Sequence, residues 1–131
     1  MAELSEKAIE LIQAKNVGSF GTIRDDGTPN VTPVWVDWDG QHVIVNTVAG
    51  RAKEKHLRRD PRGTVSVFNL ENPYNYVSIS GHAELTEEGA SEHIDKMALK
   101  YLGQAKYPYH QPGDKRVIVK IRPERVNEYW G

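Results

Sequence analysis

Apolar residues recur at helical spacing near the start of the chain: Leu4, Ala8, Ile9, Leu11 and Ile12. They predict a first helix, with Ser5 as its N-cap and Leu4 and Ile9 at the positions of a hydrophobic staple. After Gly18 the pattern turns strand-like. Gly18 to Arg24, Asn30 to Trp38 and Gln41 to Thr47 read as three strands. The turn chemistry of Asp25-Asp26-Gly27-Thr28-Pro29 and the hairpin signal Asp39-Gly40 separate them. Asn30 to Trp38 is apolar on both faces, so cover is expected on both.

Arg51 to Asp60 predicts a short helix, stopped by Pro61. Two strands follow, Gly63 to Asn69 and Asn75 to Leu85. In the second, Val77, Ile79, Ala83 and Leu85 alternate with polar residues, the half-buried pattern. Glu87 to Leu102 predicts the longest helix, capped by Thr86 and ended by Gly103, with Ala90, Ile94, Met97, Ala98 and Tyr101 as its apolar stripe. A loop rich in aromatics and proline runs from Gly103 to Asp114, and Lys115 to Ile121 predicts the last strand. The order implies a mostly β protein: an antiparallel barrel with helices packed outside, in one domain over residues 1–131.

Composition narrows the function. The chain has no cysteine, which excludes disulfides, thiolate metal sites and cysteine nucleophiles. This fits a reducing cytoplasm. No apolar run is long enough for a membrane span, and the start of the chain lacks the form of a signal peptide. A net charge of −1 gives no global reason to expect nucleic acid or an anionic membrane as partner. The five histidines show no HExxH spacing, so no metal site is expected. There is no GxGxxG, and no nucleophile-base-acid order stands out.

The informative stretch is Asn46 to Arg62. A strand ending in Asn46 and Thr47 runs through a turn at Gly50 into a helix whose first turn carries Arg51 and Lys53. Backbone N–H groups at a helix start attract anions, and both cations suit phosphate. Arg51, Lys55, Arg58, Arg59 and Arg62 fall at helical spacing, a basic stripe if the helix persists that far. Taken alone, a solvated helix face partnered by Glu54 and Asp60 accounts for the stripe better; the pairing of the stripe with a phosphate cradle raises the functional reading. Trp35, Trp38, Tyr74, Tyr76, Tyr129 and Trp130 stand near strand ends or loops, where aromatics stack on a planar cofactor or fill a core. His93 reads as a surface or packing residue. The chemistry looks like that of a cofactor, bound and oriented by the protein.

The run Gly21-Thr22-Ile23, Asp26-Gly27-Thr28-Pro29, Thr32-Pro33-Val34-Trp35, Asn46-Thr47, Arg51-Ala52-Lys53, Leu57 to Arg62 and Gly81-His82-Ala83 resembles the pyridoxamine-phosphate-oxidase-like flavin and deazaflavin proteins. Among these it is most similar to the small "B" group of deazaflavin (coenzyme F420)-dependent reductases of actinobacteria. The resemblance implies an FMN-binding split β-barrel that works as a cytoplasmic homodimer with a cofactor site at the interface. It implies an oxidoreductase that passes hydride to a small, electron-poor organic substrate. By motif, Arg51 and Lys53 bind phosphate. Thr32, Pro33 and Val34 line the tricyclic ring, with Asn46, Thr47 and the turn at Gly50 beside them. Arg58 belongs to the cation set, and Tyr74 and Tyr76 close the pocket from the partner. Relatives bind FMN in the same place. The basic stripe favours F420, whose tail is a chain of glutamates. No residue stands out as the proton donor, which keeps a non-catalytic cofactor carrier as an alternative.

Overall fold

The computed structural model describes residues 2–131. Helix α1 spans Glu6–Gln13, and Ser5 caps it, its Oγ accepting from the Ala8 N–H at 3.1 Å. Strands β1 (Gly18–Ile23) and β2 (Pro29–Val34) form a hairpin. Strands β3 (Asp37–Trp38) and β4 (Val43–Val48) form a second. Helix α2 (Ala52–Arg59) then leads to β5 (Arg62–Phe68) and the long β6 (Tyr76–Thr86). Helix α3 (Ala90–Leu102), β7 (Arg116–Ile121) and β8 (Arg125–Tyr129) complete the chain.

The strands follow the order β2-β1-β5-β6-β7-β4-β3, with β8 also on β6, and every pairing is antiparallel. Strand β6 belongs to both halves of this split barrel. Its first part pairs with β5 and β8 and its last part with β7. At the change of partner, a Cβ on Gly81 would lie 2.1 Å from the Arg122 carbonyl oxygen, so only glycine fits. Phe20, Val36, Val45, Val65, Val67, Val77, Ile79 and Val119 fill the barrel, and Ala8, Leu11 and Ile12 of α1 pack onto the same core.

Three expectations need correction. Asn30 to Trp38 is not one strand. It crosses from β1 to β4 and breaks at Trp35 and Val36, because each half of the barrel takes one end. The Val36 N–H donates to Tyr101 Oη at 3.1 Å, and its carbonyl accepts from Lys100 Nζ at 2.8 Å. Val31, at 63% exposure, has no cover within the chain. Helix α3 begins at Ala90 rather than Glu87. Thr86 Oγ1 accepts from Glu88 in a preceding turn, and Gly89, with φ +74°, makes the entry. Finally, Arg125–Tyr129 forms a strand that the sequence pattern missed. Its alternation carries a single aliphatic residue, Val126, and follows Pro123 too closely to read as a strand.

Candidate functional site

A cavity of about 410 Å³ opens between the end of β2, β4, the start of α2, α3 and the loop before β7. It gathers six of the residues singled out from the sequence: Pro33, Val34, Asn46, Thr47, Arg51 and Lys53. The barrel break at Trp35 is what places Pro33 and Val34 here. The β4–α2 connection turns at Gly50 with φ +90°, a left-handed conformation that favours glycine.

The cations of this cavity are poorly matched by acids: Asp114, near Arg51, is the one carboxylate within salt-bridge distance of Arg51, Lys53 or Arg116 among the described residues. Lys53 Nζ donates to the Thr32 hydroxyl at 3.0 Å. Burial, and secondarily Arg51, lowers the Lys53 pKa. Arg51 stands at the N-cap of α2, mostly exposed, with its nearest carboxylate, Asp114, 4.0 Å away. Glu54 accepts from the Gly50 N–H at 2.9 Å and from Arg58, and its pKa is lowered by those bonds. It holds the turn in place without lining the cavity.

The sequence reading missed Arg116, which is 6% exposed and lines the cavity from the start of β7. Its Nε donates to Asn46 Oδ1 at 2.8 Å, and its guanidinium lies 5.2 Å from the centre of the Tyr107 ring. Burial pulls its pKa below the usual guanidinium value. The Asn46 amide cannot be reversed. Its Nδ2 donates to the Ala90 carbonyl at 2.9 Å and to His93 Nδ1 at 3.1 Å, so Oδ1 must face the arginine. In that network His93 donates through Nε2 to Asp37 at 3.0 Å, and Lys96 joins at 3.3 Å. His93 is therefore a partly buried network residue and neither a surface nor a packing one. Burial raises the Asp37 pKa, but the bonds from His93 and the Trp38 N–H and the charge of Lys96 outweigh it and hold the carboxyl at about 2.

Ile94, Met97 and Trp35 form the apolar wall, and the phenols of Tyr107 and Tyr109 border it. Trp35 stacks on Tyr101 at 5.1 Å and meets Tyr107 edge-on at 6.0 Å. The chain signals these residues weakly: Arg116 opens an otherwise apolar strand, and Tyr107 and Tyr109 sit in the aromatic loop.

Other expected site residues lie elsewhere. Arg58 is exposed and bound to Glu54 on its own helix. Tyr74 is 76% exposed, and Tyr76 stacks on Tyr129, both away from the cavity within one chain. The basic stripe is broken up. Helix α2 ends at Arg59, which bonds to the Ile23 carbonyl and to Asp25. Arg62 belongs to β5 and pairs with Asp60 at 2.7 Å. Trp38 packs on the core. Among the described residues no cluster of His, Cys, Asp and Glu is arranged to hold a metal, and no helix is long and apolar enough to cross a membrane.

A larger cavity, about 590 Å³, lies on the face of β1, β2, β5 and β6. It contains none of the expected cofactor residues, and several of its polar groups are paired. Thr64 and Ser80 share a hydrogen bond of 2.8 Å, and His82 contacts Glu124 at 2.8 Å. The smaller, unbalanced cavity is the better ligand site.

An antiparallel split barrel of this kind is the scaffold of flavin-type oxidoreductases. The sequence profile of pyridoxamine 5'-phosphate oxidase matches residues 4–130, and the chain belongs to that family. It is similar to a solved F420 reductase, with 27% identity over 95% of this chain and 98% of that one and a TM-score of 0.82. It is also similar to the conserved hypothetical protein Rv2991 from Mycobacterium tuberculosis, with 27% identity over 97% and 85% of the two chains and a TM-score of 0.76. A putative pyridoxamine 5'-phosphate oxidase from Listeria innocua shares the fold, at 24% identity over 96% and 98% and a TM-score of 0.72.

Proposed function

We propose that this protein is a reductase that binds the deazaflavin coenzyme F420 in the cationic cavity and acts on a small, electron-poor organic acceptor. The carrying observation is that Arg51 and Lys53 stand beside Pro33, Val34, Asn46 and Thr47 in a cavity lined by no carboxylate. The volume falls in the range of ligand sites, roughly 300–1,000 Å³. The likeness to an F420 reductase over nearly the whole of both chains supports the choice of cofactor.

Lys53 and Arg51 bind the phosphate, with Thr32 orienting the ammonium. Pro33 and Val34 border the ring, and Ile94 and Met97 exclude water from its surroundings. Bound there, the deazaflavin supplies the hydride donor. The phenols of Tyr107 and Tyr109 are the proton-bearing side chains on the rim, beside solvent.

FMN is the second reading, favoured by membership in a pyridoxamine 5'-phosphate oxidase family and by a phosphate site that both cofactors satisfy. Assembly as a homodimer belongs to the same proposal. The exposure of Val31, Leu70, Tyr74, Tyr76 and Tyr129 leaves apolar surface that a second copy covers. Titrating apo-protein separately with F420 and FMN tests the cofactor. Tighter binding of F420 is expected, and tighter FMN binding with flavin absorbance in the purified protein reverses the choice. Sedimentation tests the assembly, and a monomer at micromolar concentration removes the two-subunit pocket.

A further inference from the structure

Arg116 is costly to the fold as it stands. Its side chain is buried, yet Nη1 has no hydrogen-bond partner among the described residues. Its Nε donates to the neutral amide of Asn46, and its flat face rests on the ring of Tyr107. No acidic side chain pairs with it among the described residues, although the charge of Asp114, nearest to Arg51, partly offsets its burial. Buried charges are ordinarily paired, and a buried donor left unsatisfied opposes folding. Nor is the side chain loosely held: Asn46, itself fixed by Ala90 and His93, aims the guanidinium. Arg51 and Lys53 line the same cavity, so three cations gather there against one nearby carboxylate, Asp114, which lies 4.0 Å from Arg51.

We propose that Arg116 is an anion-recognising residue of this cavity: its guanidinium holds an oxygen of a carboxylate or phosphate on an organic ligand packed against Ile94, Met97 and Trp35. The apolar wall selects an organic anion over a bare inorganic one. The assignment rests on the cavity being the ligand site proposed above, but not on which cofactor fills it. The anionic oxygen belongs either to the cofactor or to the acceptor, and one set of titrations separates these sources.

The experiment compares wild type, Arg116→Met and Arg116→Lys by isothermal titration with F420, with FMN and with benzoate as a minimal aromatic carboxylate. Benzoate is titrated into both apo- and cofactor-loaded protein, and thermal midpoints are recorded without ligand. We expect the midpoint of Arg116→Met to equal or exceed that of wild type, because the substitution removes an uncompensated buried charge. A loss of about tenfold or more in cofactor affinity, partly recovered by Arg116→Lys, places the anion on the cofactor. Unchanged cofactor affinity with a comparable loss for benzoate places it on the acceptor. Unchanged affinity for all three ligands overturns the proposal, as does an Arg116→Met protein that fails to fold or melts well below wild type. If wild type binds neither cofactor, the cofactor reading fails, while benzoate on apo-protein still decides Arg116. Binding of none of the three overturns both.

Discussion

Strand β2 contributes to two cavities, with Pro29 and Val31 lining one and Pro33 and Val34 the other. The sheet-face cavity is larger, but Thr64 and Ser80 bond to each other, its histidine has a carboxylate, and Arg62 pairs with Asp60. In the smaller cavity Lys53 meets a hydroxyl, Arg116 an amide, and Arg51 a carboxylate only at 4.0 Å. Size does not separate a ligand site from a surface hollow here, but charge balance does. Groups that satisfy one another make no demand on a ligand, whereas cations facing neutral dipoles in a partly desolvated space favour an anion.

The largest effect is expected at Lys53. Lys53→Ala should weaken cofactor binding by about 1.5–3 kcal/mol, the worth of a charge-assisted hydrogen bond, with the fold intact by circular dichroism. An unchanged dissociation constant would remove the phosphate assignment and level the two cavities.

Next comes Asp37, which anchors His93 and through it Asn46. Its folded pKa of about 2 lies below the usual carboxylate value of 3.8. Its contribution is therefore present above about pH 4 and is lost as pH falls through 2. Asp37→Asn should cost about 2 kcal/mol at neutral pH, as the size of that shift implies. Denaturant titrations at pH 6 and pH 2 check this, since the gap between variant and wild type must close in acid. A gap of the same size at both pH values would show that the carboxylate charge is not what holds the network.

A smaller, graded effect concerns Arg58 and Arg59. Both already have carboxylate partners, and exposed pairs contribute only about 0–1 kcal/mol each. Replacing both should flatten any rise of F420 affinity with glutamate tail length at low salt, and high salt should erase the rise in wild type. If short and long tails bind wild type alike at low salt, the two arginines only solvate and pin their helix. The smallest effect is expected in the other cavity. Arg62→Ala should leave cofactor affinity unchanged in the same titration, and a loss comparable to that of Lys53→Ala would break the contrast between the cavities.

The cationic end of the cavity was legible because it is local. Thr47, Gly50, Arg51 and Lys53 lie within seven consecutive residues, and a strand, a turn and a helix start suffice to bring them together. The network behind it was not legible. Asp37, Asn46, His93 and Arg116 come from four separate elements, and no period or spacing along the chain relates them. The basic stripe failed for the opposite reason. Its spacing was real, but a helix ending at Arg59 and nearby carboxylates divided it.

The sequence by itself determined the antiparallel β class, the outer helices and the apolar stripe of α3, all five of whose expected residues are buried. Periodicity is written in the chain, because burial on one face of an element repeats with that element's own geometry. Tertiary structure alone decided that Asn30 to Trp38 splits between the two halves of the barrel, that β8 joins β6, and that Arg116 is buried with Nη1 unpaired. Those outcomes depend on which distant segment arrives alongside, and on whether its polar groups meet the ones already there. An isolated strand carries no record of its neighbours' charges.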